Sequence, residues 1–584
     1  MDSFRFGTVD YIVFLGMIIL STATGIYYGY IKKSNKKPEE PLPSISSGEK
    51  RKHDFGSEKL NEYLMGSGSL KVFPVSMSLI ASSISGVSIL GTPPEVYNYG
   101  TQYWIIVVPI LLQYFVIAYI YFPVFWTLQV GSSNEYLELR FHSSIRSIVS
   151  IIFVLGVLMY VPFFVYLPAL SLSQVSGINI YIIEAVIVVV CVFYTIVGGL
   201  KAVVHTDVWQ TVIMFVSVIV IAILGTFYAT GMDSIFDDLD QRGRLEFFNI
   251  DPSLYVRHTV WGVVFGVFLN WISFSAVNPT AVHRYISLPS LNKARASLAI
   301  YTVGSAGFIL LCSYLGVLLF DKYKDCDPLS AGLITNDDQM LSLFVVQSVG
   351  DIYGLPGLFI AGIFGAGLSS LSVYYNSTSM VILEDIFRGC FKMRPSERMS
   401  NIIVKSSVIF IGVLSMALAL ILEQLSGVLS ACTALASITD GATFGIFTLG
   451  MLVPWANTLG TAIGALAGVL LSGWITLGSQ FAAASGQLNS QKRPMSVDGC
   501  EGNVTLLETI WVNEEDVLPL YRISYHWLNV VGFTTVVVVG SLVSLVTKPN
   551  NIRTIDQDLV SPVIHRFLPK KKTNLDGQEQ IGSI

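Results

Sequence analysis

The sequence predicts an all-α polytopic membrane protein with about thirteen transmembrane helices. Three observations carry that prediction. Charged residues make up only 13 % of the 584 residues, roughly half the ~25 % of a soluble domain. Mean hydropathy is +0.62. Apolar runs long enough to cross a bilayer follow one another almost to the end of the chain, and they are continuously apolar, which excludes a β-barrel. The missing charged surface also rules out a soluble multidomain enzyme. Lys+Arg 35 against Asp+Glu 40 leaves no basic excess for a nucleic-acid binder.

The runs can be taken in order. The first, 10–31, is about 20 residues long, a full span rather than the short core of a signal peptide. The second, 72–97, is dense in hydroxyls (Ser76, Ser78, Ser82, Ser83, Ser85, Ser88) and interrupted by Gly86, Gly91 and Pro93-Pro94. Runs 101–126, 147–171, 180–199 and 206–230 are mostly Val, Ile, Leu and Phe. The seventh, 259–282, carries Gly262, Gly266, Asn270, Trp271, Ser273, Ser275 and Asn278-Pro279. After 297–320 comes the ninth, 355–387, with Gly362, Gly365 and Gly367, then Ser369-Ser370-Leu371-Ser372 and Asn376-Ser377-Thr378-Ser379. Runs 400–422, 426–453, 459–482 and 524–547 complete the set.

Spans two, seven and nine stand apart. Unsatisfied backbone is costly in lipid, so interrupted helices persist only where they are buried or line a cavity. For any single Ser the plainer explanation is helix packing or a bond back along its own helix. Whole segments that join a helix break to hydroxyl oxygens are instead the expected ion site of a secondary transporter. Paired interruptions in spans two and seven, five spans apart, point to a midplane site if spans two to six and seven to eleven are inverted repeats.

Lys and Arg sort to alternate loops. One side receives Lys32, Lys33, Lys36, Lys37, then Arg140 and Arg146, Lys201, Arg284, Lys293, Arg295, Arg388, Arg394 and Lys570–Lys572. The other carries Asp233, Asp237, Asp238, Asp240, Asp321, Asp325, Asp327, Asp337 and Asp338. The bias places the N-terminus outside and the C-terminus in the cytoplasm. Asn503-Val504-Thr505 is a glycosylation acceptor in an outer loop. Cys326 and Cys500 both fall in outer loops, where they form either a disulfide or two unrelated thiols. Six cysteines without a CxxC pair, and seven histidines without ligand spacing, give no metal site.

Within the spans, Asp440 is the most conspicuous ionisable residue, while Glu184 and Glu423 fall near helix ends. No Lys or Arg falls in the middle of a span, so an anionic solute is expected to find its counter-charge in bound cations and half-helix N-termini.

Tyr194-Thr195-Ile196-Val197-Gly198-Gly199-Leu200-Lys201-Ala202-Val203, followed by Thr206-Asp207 and Gln210, resembles the signature of the solute:sodium symporter family. Gly91-Thr92-Pro93-Pro94-Glu95-Val96-Tyr97, Glu135-Tyr136-Leu137-Glu138-Leu139-Arg140-Phe141 and Met451-Leu452-Val453-Pro454-Trp455-Ala456-Asn457 resemble its sodium-coupled monocarboxylate and sodium-dependent multivitamin branch. The resemblance implies a LeuT-type five-plus-five inverted-repeat core. Residues 1–71 would hold the outer N-terminus, the first helix and a basic loop; 72–230 and 231–453 the two repeats; 454–547 two further helices; and 548–584 a cytoplasmic tail, polar and flexible. It also implies a sodium site built from the carbonyls of Ala81, Ile84 and Ala366 and the hydroxyls of Ser369 and Ser370. Asp207 would serve sodium coupling or gating, while Asp440, an intramembrane carboxylate that the branch does not share, is open to an extra cation role in coupling or gating. Ser82, Ser83, Ser88, Tyr166, Trp271, Phe274 and Asn278 would wall the solute cavity. The chain departs from the branch at Pro279, which should kink the seventh span below that cavity, and at Asp440, where a Gly-rich stretch is usual.

The function expected is sodium-driven import of a small organic anion, a monocarboxylate or a carboxylate vitamin such as biotin or pantothenate, across the plasma membrane. The partners are sodium, the solute and the lipid bilayer, with no organic cofactor and no nucleic acid. The alternatives are another solute on the same fold (iodide, a sugar, a polyol, choline) or a non-transporting, sodium-conducting sensor. An enzyme is not expected, since no nucleophile–base pair, HExxH or phosphate loop is present.

Overall fold

The computed structural model describes residues 6–27, 70–128, 130, 132–422, 427–488, 492–501, 504, 506 and 516–569. Among these residues all regular structure is helical. The chain makes α1 (Thr8–Ile26), then α2 (Val72–Ser83) and α3 (Gly86–Tyr99), which form one bent span, then α4 (Thr101–Leu128). A short α5 (Ser133–Arg140) leads to α6 (Ser143–Ser176), α7 (Ile180–Leu200) and α8 (Ala202–Phe227). After α9 (Met232–Gln241) come α10 (Gly262–Val277) and α11 (Pro279–Ile286), the second bent span, and α12 (Leu291–Tyr323). A short α13 (Met340–Val349) precedes α14 (Leu355–Cys390), α15 (Glu397–Leu422), α16 (Val428–Leu452), α17 (Thr458–Ala484) and α18 (Tyr525–Val546). Eleven single helices and two bent pairs give the thirteen spans read from the sequence.

Each break has a local cause. The α2–α3 bend of 55° follows from extended backbone at Ile84 (φ −103°, ψ 110°) and Ser85 (φ −114°, ψ −177°), where the Ser85 hydroxyl accepts the Val87 N–H at 3.2 Å. The α10–α11 bend of 48° falls at Asn278, whose ψ of 130° ends one helix while its Oδ1 caps the next and Pro279 occupies the first turn. The kink expected from Pro279 is therefore a full restart. The α7–α8 break sits at Gly199, with φ 61° and ψ −170°, a conformation that only glycine adopts without strain.

The ninth span, α14, is the hub. Some 94 % of its apolar window is buried, against 28 % for α1 and α18. Asp10 pins α1 to its start, Oδ1 accepting the N–H groups of Gly354 (3.0 Å) and Gly357 (3.1 Å), a carboxylate on a helix N-terminus.

At one end of the bundle Cys326 and Cys500 are joined by a disulfide, with Cα atoms 4.9 Å apart. At the other end the described residues beyond α18, up to 569, do not hang free, contrary to the flexible tail expected from Thr547 onward. Ser561 N–H donates to Met451 O at 3.0 Å, the Ser561 hydroxyl to Ile120 O at 3.0 Å, and Tyr136 Oη to Leu559 O at 3.0 Å. The cause is the buried pair Val560-Ser561 inside an otherwise polar stretch. Asn503 and Glu423 lie outside the described residues.

Candidate functional site

The break after α2 frees carbonyls. The helix ends at Ser83 and the backbone turns extended, so the Ala81 carbonyl has no amide four residues on to bond. It faces α14 instead. Ser369 Oγ donates to Ala81 O at 2.8 Å or to Ala366 O at 3.0 Å, and Ser370 Oγ to the same two at 3.3 and 3.0 Å. Ile84 stands at the break itself, fully buried. Two carbonyl and two hydroxyl oxygens thus meet in a dry spot between α2 and α14. Each hydroxyl has one proton and can rotate it away, which would leave a neutral, all-oxygen set of the kind a hard cation takes.

Asp207 on α8 is buried and lies against the same half-helix. It accepts a hydrogen bond from the Ser78 hydroxyl and stands 3.6 Å from Arg284 Nη2. Arg284 Nη1 in turn donates to Ser82 Oγ at 2.9 Å. Arg284 is 1 % exposed, which corrects the expectation that no Lys or Arg stands buried among the spans. The restart at Pro279 carries the helix on to Ile286, so Arg284 stays inside the bundle rather than in a loop. Asp207 Oδ1, Arg284 Nε and Arg284 Nη2 have no hydrogen-bond partner among the described residues.

A cavity lies at the α10–α11 break, lined by Phe153 and Tyr160 of α6, Ser273, Asn278 and Pro279, and Thr439, Asp440 and Thr443 of α16. Its volume is about 10 Å³, close to the least that admits one water. Of the expected walls only Asn278 belongs to it. Ser82 is turned to Arg284; Tyr166 is buried among packed side chains; Trp271 leans on Tyr301, with ring centroids 6.5 Å apart. Ser83, Ser88 and Phe274 are partly exposed and stand outside the lining. With the cavity this narrow, the walls expected from α2, α3 and the rest of α10 do not converge. Phe153 and Tyr160 were not foreseen, because α6 reads as a uniformly apolar span.

A further cluster escaped the sequence. Glu95 on α3 pairs with Arg257 through two contacts, Nε–Oε1 at 2.6 Å and Nη2–Oε2 at 2.9 Å. Arg257 lies over the Tyr99 ring at 4.1 Å and the Tyr525 ring at 4.9 Å, and Tyr525 Oη donates to Glu95 Oε1 at 3.3 Å. His258 Nε2 is 2.9 Å from Glu95 Oε1. Burial holds the His258 imidazole below its usual pKa, with Glu95 opposing. The partners are 162 residues apart, and only the acid's place in a recognised motif marked it beforehand.

Residues 63–471 match the model of the sodium:solute symporter family. The chain is 34 % identical over 557 residues to the mouse (Mus musculus) sodium-coupled monocarboxylate transporter 1, covering 92 % of this chain and 87 % of the relative. It is 31 % identical over 564 residues to the rabbit (Oryctolagus cuniculus) sodium-dependent multivitamin transporter, covering 94 % and 85 %. A solved structure of a Na+-coupled sialic acid symporter, substrate-bound and outward-open, shares the fold with a TM-score of 0.73 at 23 % identity, over 93 % of this chain and 99 % of that one.

Proposed function

The chain belongs to the sodium:solute symporter family, and from that premise we propose that it imports a small organic carboxylate, a monocarboxylate or a carboxylate vitamin, across the plasma membrane by alternating access. One observation supports the coupling most directly: the Ala81 and Ala366 carbonyls meet the Ser369 and Ser370 hydroxyls at the break of the second span. With Ile84, these residues are the sodium site of this reading. The relatives named for monocarboxylates and vitamins support the solute class. Spans two to six and seven to eleven act as the two repeats that rock about the site, consistent with a broken helix opening each.

The end bearing the Cys326–Cys500 bridge faces the oxidising exterior, as does the N-terminus, and the C-terminal segment lies in the cytoplasm. Asp207, linked to Ser78 three residues before Ala81, couples sodium occupancy to the opening of that side.

The test is radiolabelled uptake into cells or proteoliposomes with sodium replaced by N-methylglucamine, in the wild type and in the Ser369→Ala, Ser370→Ala double variant. Uptake should vanish without sodium. The double variant should raise the sodium half-saturation by ~10-fold or more, the equivalent of ~1.4 kcal/mol of lost cation binding. Uptake indifferent to sodium would sink the coupling, and an unshifted sodium curve would remove the two hydroxyls from the site.

A further inference from the structure

Asp440 sits near the middle of α16 (Val428–Leu452) and lines the cavity at the α10–α11 break. An ionised carboxylate at that depth is costly unless something neutralises it. Nothing described does so. Its backbone carbonyl accepts the Ser273 hydroxyl at 2.8 Å, but no described side chain bonds to or pairs with its carboxylate, and the described lining contains no Lys, Arg or His. A negative group in the solute cavity would repel the plain carboxylate that the family resemblance suggests.

The rest of the lining shows what would suit it. Phe153 and Tyr160 present aromatic rings to the same space, and Tyr374 crosses Tyr160 edge to face at 5.1 Å. A carboxylate beside aromatic rings is the chemistry that holds an ammonium group. A donor also lines the cavity, at the α10–α11 break. Asn278 Oδ1 is already taken by the Thr280 N–H (3.0 Å) and hydroxyl (2.6 Å), which leaves the amide nitrogen as the donor end, at the start of α11. The amide donor favours a carboxylate, whereas the first-turn N–H groups of α11 are already taken by Asn278 itself. Ser273 and Thr439 direct their protons to helix carbonyls, which leaves their oxygens open to any cation, and it is the aromatic wall of Phe153 and Tyr160 that favours an ammonium group over a bare sodium ion.

We propose that the solute of this transporter is zwitterionic, bearing a protonated nitrogen as well as its carboxylate, and that Asp440 is the specificity-determining residue that binds the nitrogen. The proposal rests on the carboxylate reading of the previous section and narrows it. The narrow cavity widens around the solute during the cycle. Asp440 and the Phe153–Tyr160 wall then hold the ammonium end, and the Asn278 amide nitrogen holds the carboxylate end.

The experiment is sodium-driven uptake by the full chain of a matched labelled series: butyrate, 2-aminobutyrate, 4-aminobutyrate and butylammonium. Wild type, Asp440→Asn and Asp440→Glu are compared at equal surface amount, with the sodium half-saturation measured for each. The wild type should favour at least one of the amino acids over butyrate by ~10-fold or more in kcat/KM. Asp440→Asn should bring that ratio to about one or below without moving the sodium curve, and Asp440→Glu should keep part of the preference. A wild type that prefers butyrate, or a ratio that Asp440→Asn leaves unchanged, overturns the proposal. So does an Asp440→Asn variant that raises the sodium half-saturation and slows every solute alike, since Asp440 would then be a cation ligand. Uptake of butylammonium alone overturns the carboxylate end and the previous reading with it. A wild type that shows no amino preference yet takes up butyrate in a sodium-dependent way overturns only the ammonium end.

Discussion

Each half of the broken second span is held by an acid and an arginine, and the two pairs are built differently. On α3, Glu95 meets Arg257 through two short contacts, with two aromatic rings packed on the guanidinium and a tyrosine hydroxyl and an imidazole completing the carboxylate. On the α2 side, Asp207 and Arg284 share one contact of 3.6 Å, and polar atoms on both remain without a partner. A saturated pair has nothing to gain from a further ligand. An unsaturated one keeps free valence for water, an ion or a proton, and buried polar atoms left that way ask for a role. The first pair is built to stay as it is, and the second to change partners.

The largest expected effect comes from breaking the saturated pair. Arg257→Met leaves Glu95 buried and uncompensated, which should cost about 3–5 kcal/mol and show as a large fall in thermal stability in detergent. Adding Glu95→Gln should recover much of that loss. A variant that melts with the wild type would show that the clamp is not structural.

Asp207→Asn keeps a partner for Ser78 and removes only a 3.6 Å contact to Arg284, so it should lower melting less than Arg257→Met and shift the sodium dependence of uptake several-fold. If it instead lowers melting as far as Arg257→Met and leaves the sodium curve in place, the two pairs are alike and the distinction fails.

A smaller effect probes the Glu95 end through pH. Asp338, between α12 and α13, is buried and accepts the Val428 N–H at 3.3 Å. Burial first, and then Asp337, push its carboxyl from 3.8 up to about 7. Its folded pKa is raised, so its contribution is fully present below about 4 and is lost as pH rises through about 7. Melting temperature should fall over that window, and Asp338→Asn should flatten the dependence. A flat wild-type profile would mean that this acid is as well compensated as Glu95.

Much of this architecture was legible beforehand for physical reasons. Spans announce themselves by length and hydropathy, and the break at Asn278-Pro279 by its proline, but in span two the break falls at Ile84-Ser85, just before Gly86, while Gly91 and Pro93-Pro94, expected to interrupt it, lie inside the continuous helix α3. The convergence of Ala81, Ala366, Ser369 and Ser370 followed from joining a break to hydroxyls, together with the family resemblance. Arg284 was not legible, because a charge close to a span's end counts as a loop charge until the helix restart places it inside. Glu95–Arg257 was not legible either, since nothing local in either segment names its partner. The cavity's aromatic wall was hidden in α6 because an apolar residue facing lipid and one facing a solute read alike.

The strand of chain after the last span has a practical consequence. Leu559 and Ser561 tie it to Tyr136, Ile120 and Met451, so it roofs one mouth of the bundle. A purification tag or fluorescent fusion belongs after Phe567. A truncation at the end of α18, the natural place to trim a membrane protein for crystallisation, would strip that roof and expose the packed surface it covers.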